Sequence, residues 1–203
     1  MPHPLLLLLF LPLLTTAAPL TPRQSSPSSC APITVIFARG TTETGDLGAV
    51  VGPPLQAALE AKLPGKVAVQ GVPAPAYPAD VAGYLAGGSA TGAAKMAEMA
   101  REVVAGCSGE EVMVVLAGYS QGGQLVHKAG AQLDAATAAR VAGAVIFGDP
   151  DNPQPVENVE NLKVFCAEGD LICEGQPVIL APHLSYGADA GAAADWIAGV
   201  TGN

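Results

Sequence analysis

Val112-Met113-Val114-Val115-Leu116-Ala117-Gly118-Tyr119-Ser120-Gln121-Gly122-Gly123-Gln124-Leu125-Val126-His127-Lys128 reads as a buried strand, a glycine-bounded turn and the start of a helix. Residues 118–122 spell G-x-S-x-G at the end of the apolar run. A serine at the apex of a strand–turn–helix is a nucleophile elbow, in which a strained backbone lifts the hydroxyl above the sheet. Each glycine has a steric reason, because a Cβ there would press on the neighbouring strand or helix. With 24 Gly in 203 residues, chance alone could supply the pentapeptide. The strand before it and the helix after it make it specific. A serine nucleophile also needs a base and a group that orients the base.

The chain has three histidines. His3 falls in an N-terminal leader. His127 lies seven residues past Ser120 on the same helix, about 10 Å along its axis at about 1.5 Å per residue. It cannot reach the serine and is expected to be a surface or helix-face residue. His183, in the loop Pro177-Val178-Ile179-Leu180-Ala181-Pro182-His183, is left as the base. The orienting carboxylate should follow a strand and precede the histidine. Asp170 fits, four residues past Cys166. Asp149 competes from the end of an earlier strand, with Asp151 behind it. Asp149-Pro150-Asp151-Asn152-Pro153 is more simply a turn. An oxyanion needs two donors: the backbone N–H of Gln121, and a group from the loop Gly40-Thr41-Thr42.

Outward from the elbow, apolar runs alternate with helical stretches. Strands are predicted at 33–37, 66–70, 112–117, 141–147 and 162–166, and helices at 50–63, 91–105, 121–133 and 189–200. Residues 71–88 are expected to form a long Pro/Gly loop. This alternation predicts a parallel sheet covered on both faces, a three-layer α/β/α sandwich with the site at the carboxyl ends of its strands.

Leu5 to Leu14 is a short apolar core interrupted by Pro12, followed by the small residues Thr15-Thr16-Ala17-Ala18. Residues 1–17 are expected to be a secretory signal peptide, residues 18–29 a disordered or propeptide segment, and residues 30–203 one catalytic domain. Export agrees with the even cysteine count: Cys30, Cys107, Cys166 and Cys173 allow two disulfides in three pairings. Cys166 and Cys173 could close a short loop, which leaves Cys30 for Cys107. Their spacing suits no metal site. The net charge is −9, with no basic cluster, which argues against a nucleic-acid partner. No stretch is long and apolar enough for stable membrane insertion. The chain is expected to be a secreted monomer.

Three stretches together resemble the cutinase family of small secreted serine esterases, in the α/β-hydrolase class. Residues 37–45, FARGTTETG, resemble its oxyanion loop; residues 118–122 resemble its nucleophile motif; and C-x-x-x-D-x-I-C-x-G over 166–175 with Ala181-Pro182-His183 resembles its Asp/His segment. The likeness runs from about Cys30 to Val200. It implies a minimal α/β-hydrolase with a central five-stranded parallel sheet and no lid, a triad of Ser120, Asp170 and His183, oxyanion donors on Thr41 and Gln121, and disulfides Cys30–Cys107 and Cys166–Cys173. It also implies a contribution from the Thr41 hydroxyl. The chain departs from the family at Ala117, at Gln176, and at Tyr84, which falls where an asparagine supports the oxyanion loop.

The chemistry expected is ester hydrolysis through an acyl-enzyme, with no cofactor and no metal. Tyr84, Leu85, Val178, Ile179 and Leu184 are candidates for the substrate rim, and their apolar character suits an aliphatic polyester or a medium-chain ester. One alternative is an acetylxylan esterase on the same scaffold. Another is a secreted surface or interaction protein without catalysis.

Overall fold

In the computed structural model the described residues are 1, 30–107 and 111–203. The expected signal peptide and the 18–29 segment lie, but for Met1, outside them. Five strands form the sheet: β1 (Ile33–Ala38), β2 (Val67–Gly71), β3 (Met113–Tyr119), β4 (Val141–Phe147) and β5 (Leu162–Phe165). Among the described residues six α-helices accompany them: α1 (Gly52–Lys62), α2 (Val81–Leu85), α3 (Ala90–Gly106), α4 (Gln121–Gly130), α5 (Ala135–Ala138) and α6 (Ala190–Val200).

Every strand pairing is parallel, in the order β2-β1-β3-β4-β5. Strand side chains alternate between faces, so each apolar run feeds two cores. Ile36, Val114, Leu116, Ala144 and Ile146 pack with Met96 and Ala100 of α3 and Leu125 of α4. Ile33, Val35, Phe37, Val115, Val145 and Phe147 pack with Leu55 and Leu59 of α1 and Ile197 of α6. β1 is therefore buried along its whole length, as expected of an inner parallel strand. Truncating a fully buried residue such as Leu116 to Ala costs about 2–5 kcal/mol.

The strand order positions the site. From β1 the chain first builds outward to β2, then returns to lay β3 on the other side of β1. That reversal opens a crevice at the carboxyl ends of β1 and β3. The loop after Ala38 and the turn at Ser120 flank it, because Ala38 pairs with Gly118 across the two strands.

The predicted strands and the four long helices are present, with ends displaced by a few residues. β3 runs on through Tyr119 because Gly118 and Tyr119 continue to pair with Ile146 and Phe147 of β4. The stretch expected as a loop over 71–88 contains α2. Asp80 starts that helix, its side chain accepting from the Gly83 N–H at 2.7 Å. Five residues that include a glycine carry no helical period, so the pattern could not show it. α4 stops three residues early, at Gly130, where a Cβ would strike the backbone of Glu157. Both disulfides expected from the resemblance are formed, with Cα–Cα distances of 5.8 Å for Cys30–Cys107 and 6.0 Å for Cys166–Cys173.

Candidate active site

Ser120 sits between β3 and α4 with φ 57° and ψ −122°. Positive φ is uncommon outside glycine and stores strain that the surroundings must hold. Here the surroundings are backbone. A Cβ on Gly118 would overlap the Gly122 carbonyl, and one on Gly122 would overlap the Ala38 carbonyl of β1. The two glycines let the turn close against its own helix and against the neighbouring strand. The Ser120 N–H donates to the Phe147 carbonyl at 2.9 Å, which ties the turn to the end of β4.

Asp170 and His183 are joined by 2.8 Å between Oδ2 and Nδ1, and both are buried. The carboxylate is held on several sides. Its Oδ2 also accepts from the Tyr186 hydroxyl at 2.5 Å, and its Oδ1 accepts from the Ile172 N–H at 3.1 Å. Asp170 caps a 3₁₀ turn, Leu171–Glu174, whose Cys173 is bonded to Cys166 next to β5. The short disulfide loop thus fixes the carboxylate to the sheet. His183 is held by its main chain and by its ring. The Tyr119 hydroxyl donates to its carbonyl at 2.9 Å, and the rings of Tyr119 and Tyr186 lie 5.1 and 6.0 Å from its own. Its Nε2 is buried without a hydrogen-bond partner.

Ser120 and His183 meet at one segment. Phe147 accepts from the serine amide, and the next residue, Gly148, has its open side against the imidazole. A Cβ on Gly148 would lie 2.7 Å from His183 Cε1 and 2.8 Å from Nδ1.

The loop after β1 is held from within by its own side chains. Glu43 turns back into it, accepting from Gly40 N at 2.7 Å and from Ala49 N and Val50 N at 2.8 Å each. Arg39 is buried under the loop, donating from Nε to the Glu43 carbonyl at 2.8 Å and from a terminal nitrogen to the Tyr77 carbonyl at 2.9 Å. Its guanidinium lies 5.0 Å from the centre of the Tyr77 ring. Burial pushes the Tyr77 hydroxyl well above its ordinary value, and it stays a donor, to the Arg39 carbonyl at 2.7 Å.

Thr41 is steered by a group that sequence reasoning missed. The Gln121 side-chain amide donates to Thr41 Oγ1 at 3.0 Å and to the Asp80 carbonyl at 2.7 Å. With that lone pair occupied, the threonine hydroxyl keeps its proton for another partner, and Thr41 lines the cleft beside Ser120. The resemblance implies an asparagine in this supporting role where this chain has Tyr84. Here the Gln121 amide ties Thr41 to the start of α2.

A cleft of about 190 Å³ opens beside Ser120, lined by Thr41, Val81, Tyr84, Leu85, Ile172, Pro177 and Ile179. Of the five rim residues expected, Tyr84, Leu85 and Ile179 line it; Val178 and Leu184 stand exposed outside it. Val81, Ile172 and Pro177 were not expected. Val81 follows from the unforeseen α2, one turn before Leu85. Met1 apart, every large apolar side chain that is exposed among the described residues belongs to α2 or to 178–184: Val81, Leu85, Val178, Ile179, Leu180 and Leu184. Two apolar ridges therefore flank the cleft.

The cutinase family model matches residues 29–200. This chain belongs to the cutinase family. It is 50% identical over 201 residues to a cutinase of Monilinia fructicola, covering 98% of this chain and 96% of that one. A solved Trichoderma reesei cutinase in complex with a C11Y4 phosphonate inhibitor superposes with a TM-score of 0.78 at 40% identity, over 85% of this chain and 77% of that one. An acetyl xylan esterase structure, at 22% identity and a TM-score of 0.68 over 85% of this chain and all of its own (100%), shares the fold alone. As a cutinase-family protein the chain is a carboxylic ester hydrolase.

Proposed function

We propose that Ser120, Asp170 and His183 act as a catalytic triad that cleaves aliphatic polyesters of the cutin type through an acyl-enzyme. The observation that carries this reading is the strained elbow at Ser120, tied through Phe147 to the segment whose Gly148 lies against the ring of the buried His183–Asp170 pair. His183 Nε2 takes the serine proton as Oγ attacks the ester carbonyl. Asp170 holds the ring in the tautomer with Nδ1–H and stabilises the imidazolium. The Gln121 N–H and Thr41 stabilise the oxyanion. His183 then protonates the leaving alcohol and activates the water that releases the acid.

The apolar ridges favour an insoluble aliphatic substrate, since a patch of that kind on a water-exposed rim otherwise has no partner. They disfavour an acetylated polysaccharide, whose sugars would seek polar walls. Rates on soluble esters of increasing acyl length, beside cutin and acetylated xylan, decide between the two. Medium chains and cutin are expected to lead. A preference for acetyl groups and xylan would move the assignment to the acetylxylan class. Ser120→Ala should lower kcat by about 10⁵-fold or more, and a phosphonate that left Ser120 unlabelled would remove the enzymatic reading altogether. Two disulfides and an apolar leader support secretion, because such bonds persist in oxidising compartments. No described helix is long and apolar enough to cross a membrane. A monomer without nucleic acid is the expected working form, which sedimentation would check.

A further inference from the structure

His127 is not the surface residue its position on α4 suggested. Its side chain is 12% exposed, and its Nε2 lies 3.0 Å from Oδ2 of Asp149, whose side chain is fully buried. Asp149 follows β4 directly, two residues past Phe147 and one past Gly148. Its other oxygen accepts from the Asp151 N–H at 3.0 Å. A Cβ on Gly123 would come within 3.2 Å of that same oxygen, so the backbone of α4 closes on the carboxylate.

These contacts form a closed bracket. α4 begins at Ser120 and carries His127 about 10 Å along its axis. His127 holds Asp149. Asp149 adjoins Gly148, whose φ of 57° turns its open side onto the His183 ring. Gly148 N donates to the Phe165 carbonyl at 2.9 Å, and Phe147 O accepts from Ser120 N at 2.9 Å. The segment 147–149 thus touches both partners of the proton transfer, and the His127–Asp149 pair fixes that segment to the nucleophile's own helix. We propose that His127 and Asp149 are a positioning pair that sets His183 relative to Ser120, an inference resting on the triad reading above.

A misplacement of about 1 Å at a reacting centre can cost about 10²-fold in rate. His127→Leu and the near-isosteric Asp149→Asn should each lower kcat by about 10- to 100-fold with KM little changed. His127→Gln keeps an N–H near the position of Nε2 and should recover most of that loss. A phosphonate titration counts competent sites, so kcat is expressed per labelled Ser120 and unfolded protein drops out. The labelling rate should fall with kcat, because labelling uses His183 as base, while full labelling is still reached. If His127→Leu and Asp149→Asn keep the wild-type kcat per labelled site and lose only thermal stability, the pair is structural and the proposal fails. If one variant does not fold, the other decides. Failure of wild type itself to label would instead remove the triad reading.

Discussion

Two histidine–aspartate pairs lie at the carboxyl ends of adjacent strands, and they are near copies in chemistry. His183–Asp170 spans 2.8 Å after β5, and His127–Asp149 spans 3.0 Å after β4; both carboxylates are fully buried. The rings face their partners by opposite nitrogens. His183 gives Nδ1 to its aspartate and keeps Nε2 buried and unpartnered. His127 gives Nε2 to Asp149. A carboxylate and an imidazole in contact do not by themselves make a base. On the proposed reading, the base is the pair whose second nitrogen is left without a partner and whose ring lies against the segment that also holds Ser120. The pair with the ring reversed is the proposed brace.

Exchanging the two acids puts the largest stress on that contrast. Asp170→Asn should lower kcat by about 10⁴-fold, because an asparagine favours the wrong tautomer of His183. Asp149→Asn should cost no more than about 10²-fold. Parallel rate measurements on the two variants check this. An inactive Asp149→Asn beside an active Asp170→Asn would reverse the roles assigned here.

A middle-sized effect is expected at the oxyanion loop. Thr41→Val removes the hydroxyl and keeps the backbone N–H, and should lower kcat by about 10²- to 10³-fold. Gln121→Leu removes only the side-chain amide, leaving the backbone donor. It should show a smaller loss of the same kind, because Thr41 Oγ1 and the Asp80 carbonyl lose their shared donor. A Gln121→Leu enzyme with wild-type kcat would show that Thr41 needs no such steering. These losses separate direct stabilisation of charge from the bracing assigned to His127.

The contrast also shows what could be read from residues alone. The elbow was legible because its strand is long, apolar and inner, and its glycines answer to backbone overlaps. The His183–Asp170 pairing was legible too, His183 by elimination and Asp170 by chain order and its cysteine loop. His127 was misread. A helical residue seven positions from the serine carries no mark of what lies opposite it. Its partner, Asp149, comes from a strand that the fold alone brings alongside. The Gln121 clamp was hidden for a related reason. Its acceptor at Asp80 belongs to the start of α2, a five-residue helix with no periodic pattern. Local pattern specifies elements; contacts between distant loops wait on the topology.

The smallest effect expected is thermal, and its sign follows from the brace. Burial alone would hold the His127 ring below its ordinary value. The hydrogen bond and charge of Asp149, the charge of Asp151 and the Pro155 carbonyl outweigh it, so His127 is raised. A group raised in the folded state adds stability that is fully present below its unfolded value, about 6.5. That stability is lost as pH rises through the folded value. Gln at 127 can donate the hydrogen bond but cannot ionise. The melting temperature of wild type should therefore exceed that of His127→Gln most at about pH 6, and the gap should shrink toward pH 9. In a domain of this size each kcal/mol is worth about 2–4 °C. Differential scanning calorimetry of the two proteins over that range reads the gap directly. A gap that stayed constant with pH would mean that a neutral imidazole braces Asp149 as well as a charged one, and the pair would then act through hydrogen bonding alone. A gap that widened with pH would contradict the ionised brace outright, since a raised histidine cannot gain stabilising power by losing its proton.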